Sequence, residues 1–367
     1  MYDVIVSGAG PGGSMAAMKC AQQGLKVLLL ERQALPRDKV CTGMLMGPMA
    51  NAIISQEFGD FPPHVLTTPP YLDGIKLLVP GTEPATIERP IPIGWRKDLD
   101  YWMTQQAVDA GVEVRDSARL AGIGENAQGY TMQVSTGGKT EQIEASFVIG
   151  ADGGNSASRK ALFPELEVKY LQALREVYRA EFPAGLEQGY IYFVVPPKYM
   201  PLYWCTHQKG DTLVLELAGR MDDTRAMMDG ARELLSQDYG LDLEGKLKWK
   251  DGCLEPLLHR DLLSGTFPPA RGNALLVGDA GGFTLPVSGE GIGTALQSAI
   301  VAAASVAEAL KSNRKAEEFY LLGIKGLLEG LKGLYDATKN IRQEAAKGPE
   351  QLTRALDQAW RQTLELK

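Results

Sequence analysis

The sequence predicts an α/β protein: a Rossmann-type parallel sheet, an antiparallel sheet inserted into it, and helices at the C-terminal end. Three observations predict this. The chain opens with an apolar strand, a glycine loop and a small-residue helix over residues 2–24. Strand-to-glycine handovers recur at Val148–Gly153 and Ala274–Asp279. Between these two, apolar runs of strand length alternate with Pro, Gly and Lys-Gly turns.

"YDVIVSGAG" is a β-branched run ending in glycine, and "GGSMAAMKCAQQG" is a helix closed by Gly24. "LKVLLLER" is a second buried strand, which completes a βαβ unit. Residues 40–95 are rich in Pro and Gly, with short strand signals in "GIKLLV" and "ATIERPIPIGW". Arg96–Val114 reads as a helix feeding a strand, and the segments to Gly153 read as a β-meander returning to the parallel sheet. "VYRAEF", "GYIYFVV", "PLYWCTH" and "DTLVLELAG" read as the antiparallel sheet, with a helix near "DTRAMMDGARELLSQ". After Ser298 the pattern is helical to the end. An apolar stripe there runs through Tyr320, Leu321, Ile324, Leu327, Leu328, Leu331, Leu334 and Tyr335. Packing against the rest of the chain explains this stripe, with a lid or an interface as the alternative.

The bulk numbers narrow the function classes. The 367 residues carry a net charge of −7, which argues against non-specific binding to nucleic acid. Four widely spaced cysteines and three histidines, with no CxxC or HExxH, predict neither a disulfide framework nor a metal site. No basic leader and no membrane-length apolar run is seen, so the expected location is cytoplasmic, with peripheral membrane contact left open.

Three motifs carry chemistry. Gly8, Gly10 and Gly13 fit G-x-G-x-x-G between a strand and a helix. Such glycines permit a tight turn, a close backbone approach to a pyrophosphate, and close helix–strand packing. Glu31 ends the next strand, 23 residues after Gly8, where a carboxylate accepts from ribose hydroxyls; Arg32 follows it. Asp152-Gly153 ends a second strand, with a simple turn as the bland alternative. Gly278-Asp279 ends a third, and Gly289, Gly291 and Gly293 then open a helix at Gly291-Ile292. The N-terminal amides of that helix would face a negative charge.

In this order and combination the motifs resemble the para-hydroxybenzoate hydroxylase superfamily of FAD-dependent enzymes. Arg96 and Asp100 in "GWRKDLD" resemble its R-x-x-x-D element, which implies that Arg96 contacts the flavin cofactor. The sequence Gly278–Gly282 followed by Pro286–Ile292 looks like the geranylgeranyl reductase family within it. "RDKVCTG" is similar to that family's G-x-K-x-C-x-G element, with Lys39, Cys41 and Gly43 matching. "KYMPLYWCTHQKGD" is similar to its P-x-x-Y-x-W-x-F-P-K-G-D strand at Tyr203-Trp204 and Lys209–Asp211, though not in spacing.

The resemblance implies FAD as cofactor and hydride transfer from reduced flavin to carbon–carbon double bonds of an apolar, isoprenoid-type substrate. It implies Cys41 over the flavin ring, with a small buried hydrophobe as the alternative, and Tyr203 and Trp204 are read as aromatic walls of the substrate cavity, with plain sheet core as the alternative. Glu290 could orient the loop beside the flavin, and His207 and His259 are read as structural. With no second G-x-G-x-x-G, the external reductant, NAD(P)H or ferredoxin, would meet the flavin at its edge, and an electron-donor protein is a possible partner. The alternative function is an aromatic or polyketide hydroxylase using molecular oxygen on the same scaffold. The expected division is a discontinuous FAD-binding domain (1–70, 95–165, 265–310), a substrate domain (71–94, 166–264) and a C-terminal helical region (311–367).

Overall fold

A computed structural model describes residues 1–196 and 203–366. β1 (Tyr2–Ser7), α1 (Pro11–Gln22) and β2 (Val27–Leu30) form the opening βαβ unit. α2 (Pro48–Phe58) leads into β3 (Leu66–Leu78) and β4 (Ala85–Gly94). α3 (Arg96–Asp109) feeds β5 (Glu113–Arg115). The meander is β6 (Ala118–Asn126), β7 (Gly129–Thr136) and β8 (Lys139–Gly150), followed by α4 (Ala157–Leu162). Then come β9 (Tyr170–Tyr178), β10 (Tyr190–Val194), β11 (Trp204–Lys209), β12 (Thr212–Gly219), α5 (Thr224–Tyr239) and β13 (Leu247–Pro256). α6 (His259–Ser264), β14 (Ala270–Arg271) and β15 (Ala274–Leu276) return to the first sheet. α7 (Ile292–Ser312), α8 (Ala316–Gly323), α9 (Lys325–Ala345) and α10 (Pro349–Leu364) finish the chain.

Among the described residues there are two sheets. The first runs β14-β15-β8-β1-β2-β5, with β7 and β6 continuing from β8. Its central neighbours are parallel. β1 and β2 are almost wholly buried, as a parallel sheet covered on both faces requires. Gly12, Gly13, Ala16 and Ala17 of α1 are buried, and a Cβ on Gly12 would lie 3.2 Å from the Ala295 carbonyl oxygen of α7. These small residues let the two helices pack closely at the mouth of the sheet.

The second sheet runs β13-β9-β12-β11-β10-β3-β4. It is antiparallel apart from the β10–β3 pair. Its strands alternate cleanly. Leu213, Leu215 and Leu217 of β12 join Met227, Ala231 and Leu235 of α5 in one apolar layer. Val214, Glu216 and Ala218 point the other way, toward the first sheet.

Several expectations need correction. α2 falls inside a stretch read as rich in Pro and Gly with short strand signals; Pro48 at its first turn and buried Ala50, Ile54 and Phe58 mark the helix. β9 begins at Tyr170, not at Val177, so the last four residues of "VYRAEF" lie beyond the strand. β13 was not read at all. It is an edge strand loaded with charge, Lys248, Lys250, Asp251 and Glu255, which masks the period-2 signal. Residues 197–202, which include the first two of "PLYWCTH", lie outside the described residues. The helical region after Ser298 is divided into α7 to α10, with α8 and α9 meeting at Ile324.

α7 is long and apolar enough to cross a membrane, contrary to the expectation that no such run exists. Of its most apolar 18 residues 61% are buried, and it packs on α1, as a core helix does. The C-terminal stripe is core: Tyr320, Ile324, Leu331 and Leu334 are fully buried.

Candidate active site

The two sheets face each other across a cavity of about 830 Å³. Its floor is the mouth of the parallel sheet, where β1, β8 and β15 deliver their C-terminal ends; its roof is the inward face of the second sheet. The site therefore sits where open α/β sheets bind ligands.

The floor is made largely of backbone. Gly8 has φ +105°, and a Cβ there would sit 2.4 Å from the Ala151 carbonyl oxygen, so only glycine fits. Gly13 packs beneath it, where a Cβ would meet the Gly8 carbonyl oxygen, and does not line the cavity. Gly10 is different. It faces the cavity, and a Cβ there would meet only the Arg37 and Arg96 guanidinium groups, at 3.7 and 3.9 Å.

Glu31 is buried at the end of β2. Its carboxylate accepts from the Ala9 amide (3.1 Å), the Gln33 amide (3.1 Å) and Arg37 Nε (3.1 Å). Arg37 also donates to Asp100 Oδ2 (2.7 Å), and Arg96 grips the same carboxylate twice, at 2.6 and 2.8 Å. Burial pushes the Asp100 carboxyl up, but the two guanidinium groups more than offset that and hold it below the usual carboxylate range. The cluster ties the end of β2 to the first turn of α3. Arg37 was missed at the sequence level, although it lies in the quoted "RDKVCTG" segment.

At the opposite edge, Lys39 Nζ donates to Asp279 Oδ2 (3.2 Å), and Asp279 Oδ1 accepts from Thr284 (3.1 Å). Asp279 and Gly278 form a single 3₁₀ turn after β15. Gly289, Gly291 and Ile292 line the cavity at the start of α7. A Cβ on Gly291 would press within 2.8 Å of Asp279 Oδ1, which keeps the helix start close to that acid. Arg32 and Gly153 line the cavity too. Asp152 borders it, but its oxygens fasten the start of α4 through Ser156 (2.5 Å) and Ser158 (2.9 Å). These bonds hold the start of α4, whose N-cap is Ser156, against the end of β8.

Cys41 lines the cavity beside Arg96, and its sulfur accepts from the Gly43 amide (3.4 Å). Two cations from the second sheet pin its loop: Arg175 donates to the Cys41 carbonyl (3.1 Å) and Lys209 Nζ to the Thr42 carbonyl (2.7 Å). Gly43 does not line the cavity. At φ +74° its Cβ would collide with the Gly94 carbonyl oxygen, so this glycine serves a close backbone crossing rather than a cofactor.

Tyr203 lines the cavity and donates to the Ser288 carbonyl (2.6 Å), which ties the second sheet to the loop before α7. Trp204 does not. One residue along a strand reverses the side chain, so Trp204 is 2% exposed and packs in the apolar layer against α5. His207 is fully buried, with no hydrogen-bond partner on either ring nitrogen among the described residues; burial pushes it well below its usual range. His259 bonds the Thr284 carbonyl (2.5 Å) and stacks on Tyr335. Neither histidine lines the cavity.

The roof carries groups that sequence reasoning did not name. One row crosses four adjacent strands: Asp251 opposite Arg175, Arg175 opposite Glu216, Glu216 opposite Cys205, and Cys205 opposite Phe193 on the fifth. Burial lowers Lys209 to about 7 and raises Glu216 to about 7. Burial also raises Glu255 to about 7, with Asp279 adding to it, and raises Glu290 to about 7.

Comparison with known proteins fits this geometry. A profile described as an FAD-dependent oxidoreductase matches residues 3–56, and one described as an FAD-binding domain matches residues 88–183. The chain is an FAD-dependent oxidoreductase. The oxidoreductase is 26% identical over 328 residues to a digeranylgeranylglycerophospholipid reductase of Methanococcus vannielii, covering 87% of this chain and 80% of that one. It is 29% identical over 333 residues to a geranylgeranyl diphosphate reductase of Rhodobacter capsulatus, covering 86% and 78%. Its fold matches a geranylgeranyl bacteriochlorophyll reductase-like protein of Thermoplasma acidophilum with a TM-score of 0.75 at 18% identity, over 99% of this chain and 98% of that one.

The residues present fit FAD. Gly10 leaves open space at the N-terminus of α1, beside two guanidinium groups, where a pyrophosphate would be held by helix amides and positive charge.

Proposed function

We propose that the oxidoreductase saturates carbon–carbon double bonds of an apolar, isoprenoid-type substrate. The observation that carries this reading is the company Cys41 keeps. Met44, Met46, Phe193 and Tyr203 line the same cavity as the Cys41 loop and the start of α7. An apolar chain would bury its surface against these walls, at roughly 25 cal/mol per Å².

In this reading Glu31 and the α1 amides hold the ADP half of FAD, with Arg32 and Gly153 at its border. Lys39, Arg96 and Asp279 hold the middle, and Gly289 to Ile292 place the positive end of α7 toward the flavin. Bound and reduced, FAD supplies a hydride. The chain holds the alkene against Cys41 and Tyr203, and the sheet above excludes water. NAD(P)H or ferredoxin supplies the electrons, and the enzyme works in the cytoplasm with peripheral contact to the membrane that holds its lipid substrate.

The test uses the purified holoenzyme, reduced anaerobically with dithionite. Geranylgeranyl diphosphate should restore the absorbance of oxidised flavin in step with a product richer by pairs of hydrogens. A flavin that stays reduced in its presence sinks the proposal.

A further inference from the structure

Saturating a double bond takes a hydride and a proton, and the wall of the cavity carries carboxyl groups that an all-apolar tunnel would not need. We propose that Glu216 is the acid that delivers the proton to the substrate. This rests on the double-bond reductase reading.

Glu216 sits in the middle of β12, faces the cavity, and lies opposite Arg175 on β9 and Cys205 on β11. A cross-strand arginine would ordinarily hold such a glutamate ionised. Here it does not reach it. The Arg175 guanidinium is turned to Asp251 (2.6 and 3.0 Å), Asp38 (3.2 Å) and the Cys41 carbonyl (3.1 Å). Glu216 Oε2 is closed from solvent and has no hydrogen-bond partner among the described residues. An ionised carboxylate with a buried, unbonded oxygen is costly, whereas a neutral carboxyl tolerates the site.

The surrounding groups favour the same state. Glu255 on β13 faces the same cavity and adds like charge, as does Asp251. Cys205 on β11, Cys253 on β13, Tyr203, Asp38, Lys39 and Cys41 of the loop, and Asp279 and Glu290 beside α7 are further titratable groups lining the cavity, and Lys209 on β11 acts on Glu216 by charge. The Arg175 charge opposes most, although its guanidinium is spent on other partners, and Lys209 opposes less, being bound to the Thr42 carbonyl and seated over the Trp95 ring. Burial outweighs both and lifts Glu216 to about 7, the range in which an acid both holds its proton and gives it up.

The step balances. One alkene carbon takes a hydride from the reduced flavin. The π pair forms the second C–H bond with the Glu216 proton, and the O–H bond breaks. The carboxylate left behind takes a proton from water. The substrate gains two electrons and two hydrogens, and the reductant that recharges the flavin is oxidised.

The experiment compares wild type, Glu216→Gln, Glu216→Asp and Glu255→Gln as FAD-loaded enzymes, with dithionite and geranylgeranyl diphosphate. Glu216→Gln should keep its flavin spectrum and FAD affinity, fold with a Tm no lower than wild type, and lose about 100-fold or more in flavin reoxidation. Glu216→Asp should keep part of the rate. Wild-type activity should fall as pH rises through about 7, and Glu255→Gln should move that limb to lower pH by removing the like charge. Independently of turnover, the protonated-carboxyl absorption in infrared spectra at pH 6 should be weaker in Glu216→Gln than in wild type, with Glu255 and Glu290 supplying the remainder. A Glu216→Gln enzyme as fast as wild type, or one with the carboxyl band unchanged, overturns the inference and leaves the reductase reading standing. A wild type inert toward geranylgeranyl diphosphate contradicts the reductase reading and takes the inference down with it.

Discussion

The floor and the roof of the cavity are built in opposite ways. The floor is backbone: Gly8, Gly10 and the amides opening α1, all within a few residues of one another. The roof is side chains, one per strand: Asp251, Arg175, Glu216, Cys205 and Phe193 in a single row. The floor tolerates almost no side chain, and the roof is defined by which side chains it carries. A nucleotide can therefore be recognised by a short local pattern, whereas the substrate wall depends on strands far apart in sequence meeting in the right register.

The difference can be broken at the floor first. Gly10→Glu should place a carboxylate where the pyrophosphate belongs, beside Arg37 and Arg96, and weaken FAD binding by on the order of 100-fold or more. The purified variant should be colourless and fail to take up added FAD; a yellow protein would refute the placement of that loop.

At the roof, the effects should fall on stability or turnover according to which way a side chain points. Trp204→Ala should cost about 3–5 kcal/mol of stability by leaving a void against α5, with flavin content unchanged when the protein folds. Its neighbour Tyr203→Phe removes only the bond to the Ser288 carbonyl, and should cost about 1 kcal/mol while changing turnover. Urea unfolding and steady-state rates on the pair would expose a wrong strand register if the two effects were exchanged. Arg175→Met should cost about 2–3 kcal/mol, because Asp251 and Asp38 lose their shared partner and the Cys41 loop its anchor.

A further effect is in the pH dependence of stability. Burial raises Glu216, Glu255 and Glu290 to about 7 from 4.5, so between those values the folded chain keeps protons that the unfolded chain has released. Stability should therefore fall as pH rises from about 4.5 to 7. Lys209, lowered to about 7, works the other way above that pH, where the unfolded chain binds the extra proton. Urea midpoints at pH 5 and pH 7 should differ less in Glu290→Gln than in wild type; an unchanged difference would show that Glu290 is ionised throughout.

The sequence made the floor legible because each of its motifs is contiguous. A strand, its glycines and the following helix declare themselves within about fifteen residues, and the same grammar exposed Asp279 and the start of α7. Arg37 escaped because its meaning lies in a salt bridge to Asp100, far along the chain. Glu216 and Glu255 escaped because each looks like the solvated face of an ordinary strand until the other sheet is placed over it. Trp204 was misassigned for the same reason: the sequence shows that Tyr203 and Trp204 face opposite ways, but not which of them faces the cavity. β13 combined both difficulties, an edge strand on which Asp251 and Glu255 line the cavity while Lys248 and Lys250 are exposed.

The central claim is that this cavity joins a flavin to an alkene rather than to oxygen. Mass spectrometry of geranylgeranyl diphosphate after incubation with the reduced enzyme, in parallel with and without air, tests it most directly. The account predicts products heavier by pairs of hydrogens that form without oxygen. A product heavier by one oxygen atom, formed only in air, would contradict it.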